Sequence, residues 1–186
     1  MKKTAFESDR IALTETPDEL EIVISGKVPK NQFLLLSAWL IAWTIAGIYV
    51  LTQVFQPQPQ NTLLFMIVWL AFWAYFEFKA TSTWLWRKYG REVLRMKADS
   101  TELRFEVAYG GKGFAFKTAD IRNVSSLEAQ KGLFVKNYYS SFWVVGGETI
   151  GFYHQGKLHM MGRQIPEKDA ALLMEKIAYR LRKWAA

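Results

Sequence analysis

His154 and His159 are the only histidines in the chain, five positions apart across Gln155-Gly156. That is the nearest approach in the sequence to a metal-ligand spacing. Zinc takes three or four side-chain ligands. There is no cysteine and no carboxylate beside the pair, so a turn or surface role is expected, with titration near neutral pH as its only distinctive chemistry. Tyr109-Gly-Gly-Lys-Gly113 has the glycines of a phosphate loop. It lacks that loop's spacing and its Lys-Ser/Thr end, and it precedes a strand pattern rather than a helix, so it reads as a turn. Ser125-Ser126 and Ser140-Ser141 have neither a Gly-x-Ser-x-Gly setting nor a partnered base. Glu102 and Glu106 alternate with Arg104 as on a solvated strand face. No nucleophile, base and oxyanion site assemble, and the expectation is a non-catalytic chain with no cofactor and no metal.

Glu77 is the sharpest single feature, because it interrupts a long apolar run. Counted from Leu63 it lies about 21 Å into a bilayer, about 9 Å short of the far boundary. Two readings stand. In one, the carboxyl is a contact to a partner subunit, or bonds to Ser37 or Trp39 at the same level of the preceding helix, because an ionisable group at such depth must be paired or neutral. In the other, the helix leaves lipid near Phe76, and Glu77 and Lys79 snorkel at the interface. Trp39 and Trp43 on the first helix, and Trp69 and Trp73 on the second, are four apart. Such stripes offer rigid contact area for a partner helix or an apolar ligand, or else pack the two helices together.

The elements that position these residues are two apolar stretches, 33–55 and 63–86, with an uncharged bend at 56–62. The first has 23 residues and no Asp, Glu, Lys, Arg or His. At about 1.5 Å per residue it covers the roughly 30 Å hydrocarbon layer. An overall mean hydropathy near zero conceals both. Backbone amides in lipid must pair within their own segment, so a transmembrane helical hairpin is expected. Pro57 and Pro59 stop the first helix, and Asn61 or Thr62 is expected to cap the second. Lys27 and Lys30 precede the first span, Arg87, Lys88, Arg91, Arg95 and Lys97 follow the second, and the bend has no basic residue. Both termini are therefore expected in the cytoplasm, with Trp84, Trp86 and Tyr89 in an interfacial belt.

The polar parts read as one β-rich domain in two pieces. In residues 1–32, Ile11 and Leu13, then Leu20, Ile22 and Ile24, alternate with polar residues around a Thr16-Pro-Asp-Glu19 turn. This is a β-hairpin that must join a larger sheet. Residues 87–186 carry 18 Lys/Arg against 10 Asp/Glu. They show short strand patterns at 93–98, 102–108, 114–117, 121–124, 133–138, 142–145, 149–153 and 158–161. Gly146-Gly147 and Gln155-Gly156 are hairpin-grade turns. An amphipathic helix over 166–184 follows, with Ala170, Leu173, Ile177, Leu181 and Trp184 on one face. The fold class is α+β: a half-open antiparallel barrel or sandwich closed by its last helix, with a transmembrane hairpin inserted after an N-terminal β-hairpin.

Four motifs mark this layout: Trp-x3-Gly-Arg-Glu-Val-Leu at 86–94, Phe-x-Thr-x-x-Ile at 116–121, Ile-x-Phe-x-x-x-Gly-Lys at 150–157, and a glycine before an acidic, alanine-bearing helix at 162–171. On these residues the chain resembles small bacterial membrane proteins with a pleckstrin-homology-like domain and an inserted two-helix hairpin. The resemblance implies a bacterial inner-membrane location and a role in binding or assembly.

The function expected is that of an integral membrane scaffold, an auxiliary or assembly subunit working through its cytosolic domain, with other membrane proteins as partners. The alternative is a sensor of anionic lipid headgroups, since each basic residue near an anionic leaflet gains roughly 1 kcal/mol. Arg87, Lys88, Arg91, Arg180, Arg182 and Lys183 are the candidate membrane-surface contacts; Glu77, Trp39, Trp43, Trp69 and Trp73 are the candidate intramembrane partner contacts. Nucleic acid is not expected, because no base-reading helix or aromatic-basic strand motif occurs.

Overall fold

The computed structural model describes residues 3–7, 9–108, 110–127, 138, 141 and 143–185. The chain is α+β, with strands β1 (Lys3–Glu7), β2 (Ile11–Glu15) and β3 (Glu19–Ser25), helices α1 (Lys30–Val54) and α2 (Gln60–Tyr89), and strands β4 (Arg91–Lys97), β5 (Ser100–Val107) and β6 (Gly110–Lys117). After a 3-10 turn at Thr118–Asp120 come β7 (Ile121–Ser126), β8 (Glu148–His154), β9 (Lys157–Arg163) and the last helix, α3 (Glu167–Ala185).

Strands β1 to β6 form one antiparallel sheet in chain order, and β7 to β9 form a second. The expected N-terminal hairpin is present as β2 and β3, with Leu13 opposite Ile22 and Ile11 opposite Ile24. Its turn is closed by the Thr16 amide donating to Glu19 O at 2.9 Å. Strand β1 extends this sheet beyond the expected pair.

β3 and β4 are direct neighbours, Ser25 opposite Arg91 and Glu19 opposite Lys97, although the helical hairpin separates them in sequence. The hairpin thus replaces what would otherwise be a tight β-turn. Trp86 lies across its base: a Cβ at Gly26 or at Gly90 would each come within 2.4 Å of Trp86 O. Only glycine fits at both points, and there the Gly26 amide donates to Gly90 O at 2.8 Å.

Inward residues of both sheets, among them Leu13, Ile22, Met96, Leu103, Ile150 and Met161, join Leu173 and Ile177 of α3 in one core. Alternation along each strand puts these positions on a single face. Ala170, Leu173 and Ile177 of the expected α3 stripe are buried, and Leu181 and Trp184 pack at its margin.

Several local expectations need correction. Gly110 to Gly113 are in β6, not a turn: Gly113 pairs with Arg104 and Gly111 with Glu106. The chain reverses at Ala108, whose φ is 50°, and Tyr109 lies outside the described residues. Gly111 permits this close pairing, since a Cβ there would sit 2.6 Å from Phe105 O. The strand expected at 133–138 lies outside the described residues except for Tyr138, as does Phe142 of the strand expected at 142–145. Trp143, Val144 and Val145 form turns and bends rather than a strand, and Gly146-Gly147 leads into β8 instead of joining two strands. Gln155 and Gly156, at φ 49° and 77°, make the expected two-residue turn between β8 and β9.

Both long helices begin directly after a proline, Pro29 and Pro59, with no side-chain cap. The capping expected of Asn61 or Thr62 does not occur, because α2 has already started at Gln60. α2 also continues past the expected end at 86 to Tyr89, so its last turn runs almost without a linker into β4. α1 and α2 are each long and apolar enough to cross a membrane. Of their most apolar 18-residue windows only 11% and 6% is buried, and side chains such as Leu34, Phe55, Phe65 and Phe78 face outward.

Candidate functional site

Every residue expected to make intramembrane contacts lies along the seam between α1 and α2. Trp39 stacks on Trp43 at 5.4 Å and Trp43 meets Trp69 at 5.8 Å. Trp73 Nε1 donates to Trp43 O at 3.0 Å. Its ring fills a notch at Gly47, where a Cβ would fall 1.8 Å from Trp73 Cε2. The tryptophans therefore pack the hairpin together.

Glu77 is part of the same seam, but not with the partner expected. Thr44 Oγ1 donates to Glu77 Oε1 at 2.8 Å. Ser37 instead accepts from Trp84 Nε1 at 2.8 Å, and Trp39 is taken up by Trp43 and by Trp143, 5.3 Å away. Thr44 is three positions before Gly47, which receives the Trp73 ring, and Glu77 is four beyond Trp73, so the two share the facing sides of the antiparallel helices. Among the described residues, Glu77 Oε2 and Trp43 Nε1 are buried with no hydrogen-bond partner. The level of this contact is 14 residues into α1, about 21 Å from its start.

Below the seam a buried polar junction ties α2 to both sheets. Glu92 of β4 is fully buried and accepts from the amides of Gly162 (2.7 Å) and Arg163 (3.1 Å). Burial holds its carboxyl above the usual carboxylate range, while Arg163 and those two amides pull it back down. The Arg163 guanidinium bonds to Glu148 at 2.9 Å and lies over Trp86 at 4.5 Å and Phe105 at 4.6 Å. Arg10 reaches the same place, donating to Ser25 O, Gln164 O and Arg163 O. Burial lowers the Arg10 pKa, with Glu92 opposing. These residues position backbone and hold no nucleophile.

The six basic residues expected to form one membrane-facing surface do not do so. Arg87 is buried, donating to Val144 O at 2.9 Å and Gln164 Oε1 at 2.6 Å. Arg180 is buried too, bound to Glu15, Thr16 O and Pro17 O. Both guanidiniums are occupied within the protein, and Arg91 is paired with Glu106. Arg182 and Lys183 are exposed on the last turn of α3. That turn meets the β2–β3 turn, at the end of β3 remote from the helical hairpin, six strand steps or about 20 Å away. Of the six, Lys88 and Arg91 are exposed at the hairpin base, with the Lys88 ammonium over Trp84 at 4.6 Å and Tyr89 at 5.0 Å.

His154 and His159 do approach each other, with ring centroids 6.3 Å apart. They are not simple turn residues: both pack on Phe116, at 5.0 and 4.6 Å. Asp120 Oδ2 lies 3.9 Å from His154 Nε2, a carboxylate that sequence spacing did not bring near. Among the described residues no three His, Asp or Glu side chains converge as a metal site would need.

Sequence reasoning missed Thr44, Arg10, Glu92 and Arg163. Glu92 carried a readable signal, since it shares strand parity with the core residues Leu94 and Met96. Two grooves were also unforeseen. One, of about 600 Å³, runs between Trp39, Phe76, Lys79 and Trp143. The other, of about 460 Å³, lies where α1 begins and α2 ends, with Lys27, Lys30 and Lys88 around it. No family model, curated protein or solved structure matches the chain.

Proposed function

We propose that this chain is a non-catalytic membrane-anchored binding module, an auxiliary or assembly subunit of a larger membrane complex. The observation that carries the reading is the outward apolar surface of α1 and α2, on a hairpin spliced between adjacent strands of the sheet. In water that surface would be far larger than a soluble protein tolerates, and a lipid surround removes the cost.

The Glu77–Thr44 contact argues for the deeper of the two readings of Glu77. An interface at the level of Lys79 would leave Leu34, Leu35 and Ile41 of α1, all exposed, on the water side. The boundary therefore belongs at the hairpin base, and Glu77 lies within the span. The outward-facing apolar side chains of the spans are the surface offered to a partner helix.

The remaining polar part is read as a pleckstrin-homology-like domain: two antiparallel sheets share one core that a C-terminal helix closes. It sits at the cytoplasmic face of a bacterial inner membrane, with both termini on that side, because basic residues flank the hairpin base and none lies in the bend. Purification in a gentle detergent at native expression tests the role. A stoichiometric membrane protein should co-purify; monomer alone would defeat the reading.

A further inference from the structure

From the groove at the hairpin base we infer a binding site for one anionic phospholipid, its phosphodiester held by Lys27, Lys30 and Lys88 and its acyl chain running along Phe33 and Leu34. The inference rests on the membrane reading above and goes beyond it in naming a ligand and a place. The groove lies between the start of α1 and the end of α2, and among the described residues no carboxylate lines it. The three ammonium groups are exposed, and no ion pair engages them among the described residues. Three ammonium groups around one groove repel one another, and a phosphodiester would neutralise them through charge-assisted hydrogen bonds. The first turn of α1 also carries no acidic residue, so its amide ends add to the positive field instead of being neutralised.

The floor is apolar and fixed. Phe33 stacks on Trp84 at 5.7 Å, and Trp84 is pinned by its 2.8 Å bond to Ser37. Lys88 is spread over Trp84 and Tyr89, which holds its ammonium at the rim. From Phe33 the surface continues onto Leu34, 69% exposed, in the direction of the spans. A free phosphate would use the lysines and leave this path empty, whereas a lipid uses both. Lysine serves here as a point charge for phosphate, with no need of the arginine fork.

Native mass spectrometry of the full chain in detergent, titrated with phosphatidylglycerol or phosphatidylcholine, tests the site. Wild type should carry one phosphatidylglycerol adduct in preference to phosphatidylcholine, undiminished by millimolar inorganic phosphate. The K27Q/K30Q/K88Q variant should lose that adduct at least fivefold, while K27R/K30R/K88R and the distant R182Q/K183Q pair keep it. Should the triple glutamine variant not fold, Lys88→Gln alone should still lower adduct occupancy by about twofold. Equal adducts in the glutamine variants, equal binding of phosphatidylcholine, or displacement by phosphate would overturn the site. A carbonate wash of vesicles separates the two claims: release of the chain defeats the membrane reading itself, whereas retention with unchanged adducts defeats the lipid site only.

Discussion

Thr44 of α1 donates a 2.8 Å hydrogen bond to Glu77 of α2, the one side chain–side chain bond at mid-hairpin among the described residues. With the Trp73–Trp43 and Trp84–Ser37 bonds it fixes the register of the two helices, and among the described residues the second carboxyl oxygen has no partner. Thr44→Val should lower hairpin stability by about 1 kcal/mol, the usual size for such a bond between membrane helices. Thermal melts in detergent measure it. Glu77→Gln should keep the melting temperature near wild type, since the amide oxygen still accepts from Thr44.

Gly47 is a packing requirement. A Cβ there would overlap Trp73, whose ring cannot swing away without losing its bond to Trp43 O. Gly47→Ala is expected to cost about 1–3 kcal/mol, typical of overpacking. In a Trp73→Ala background the same change should cost little, and a double-mutant cycle of melting temperatures checks the coupling.

Arg180 distinguishes a structural cation from a surface one. It is buried, with three backbone and carboxylate acceptors in the β2–β3 turn. Arg180→Ala leaves Glu15 and two carbonyls short of a donor, and should destabilise by about 3 kcal/mol. R182Q/K183Q should leave the melting temperature unchanged. A calorimetric comparison of the two variants decides the point.

Glu92 gives stability a pH dependence of defined sign. Its folded pKa lies above the unfolded value, chiefly through burial, so the folded chain binds the proton more tightly. The stability from that proton is complete below the unfolded value of about 4.3 and is lost as pH rises through the folded one. The melting temperature should therefore fall as pH rises above the ordinary carboxylate range, and Glu92→Gln should flatten that slope. An unchanged slope in the variant would assign the effect to another group.

The sequence made the periodic features legible. Apolar run length located both helices, strand alternation located β2 and β3, and three-and-four spacing gave the buried face of α3. What it did not disclose depends on pairing across distance. Arg87 and Arg180 read as surface cations because nothing local shows that Gln164 and Glu15 arrive from remote segments to occupy them. Thr44 is one of several hydroxyls in α1, and only the helix–helix register selects it for Glu77. The glycines at 110–113 resembled a turn because glycine frequency cannot tell a reversal from a close strand pairing. The candidate intramembrane residues were readable as a set, since a tryptophan pair four apart on each helix marks one face. The basic surface was not, since strand direction decides which end of the sheet each cation occupies.

Membrane topology is the most direct measurement of the central claim, and a chain without cysteine is well suited to it. Single replacements Asn61→Cys, in the exposed first turn of α2, and Ser100→Cys, at the exposed start of β5, are treated in intact cells with a membrane-impermeant maleimide. The account predicts labelling of position 61 from outside, and of position 100 only after the membrane is opened. Labelling of both from the same side, or release of the chain into the soluble fraction, would contradict it.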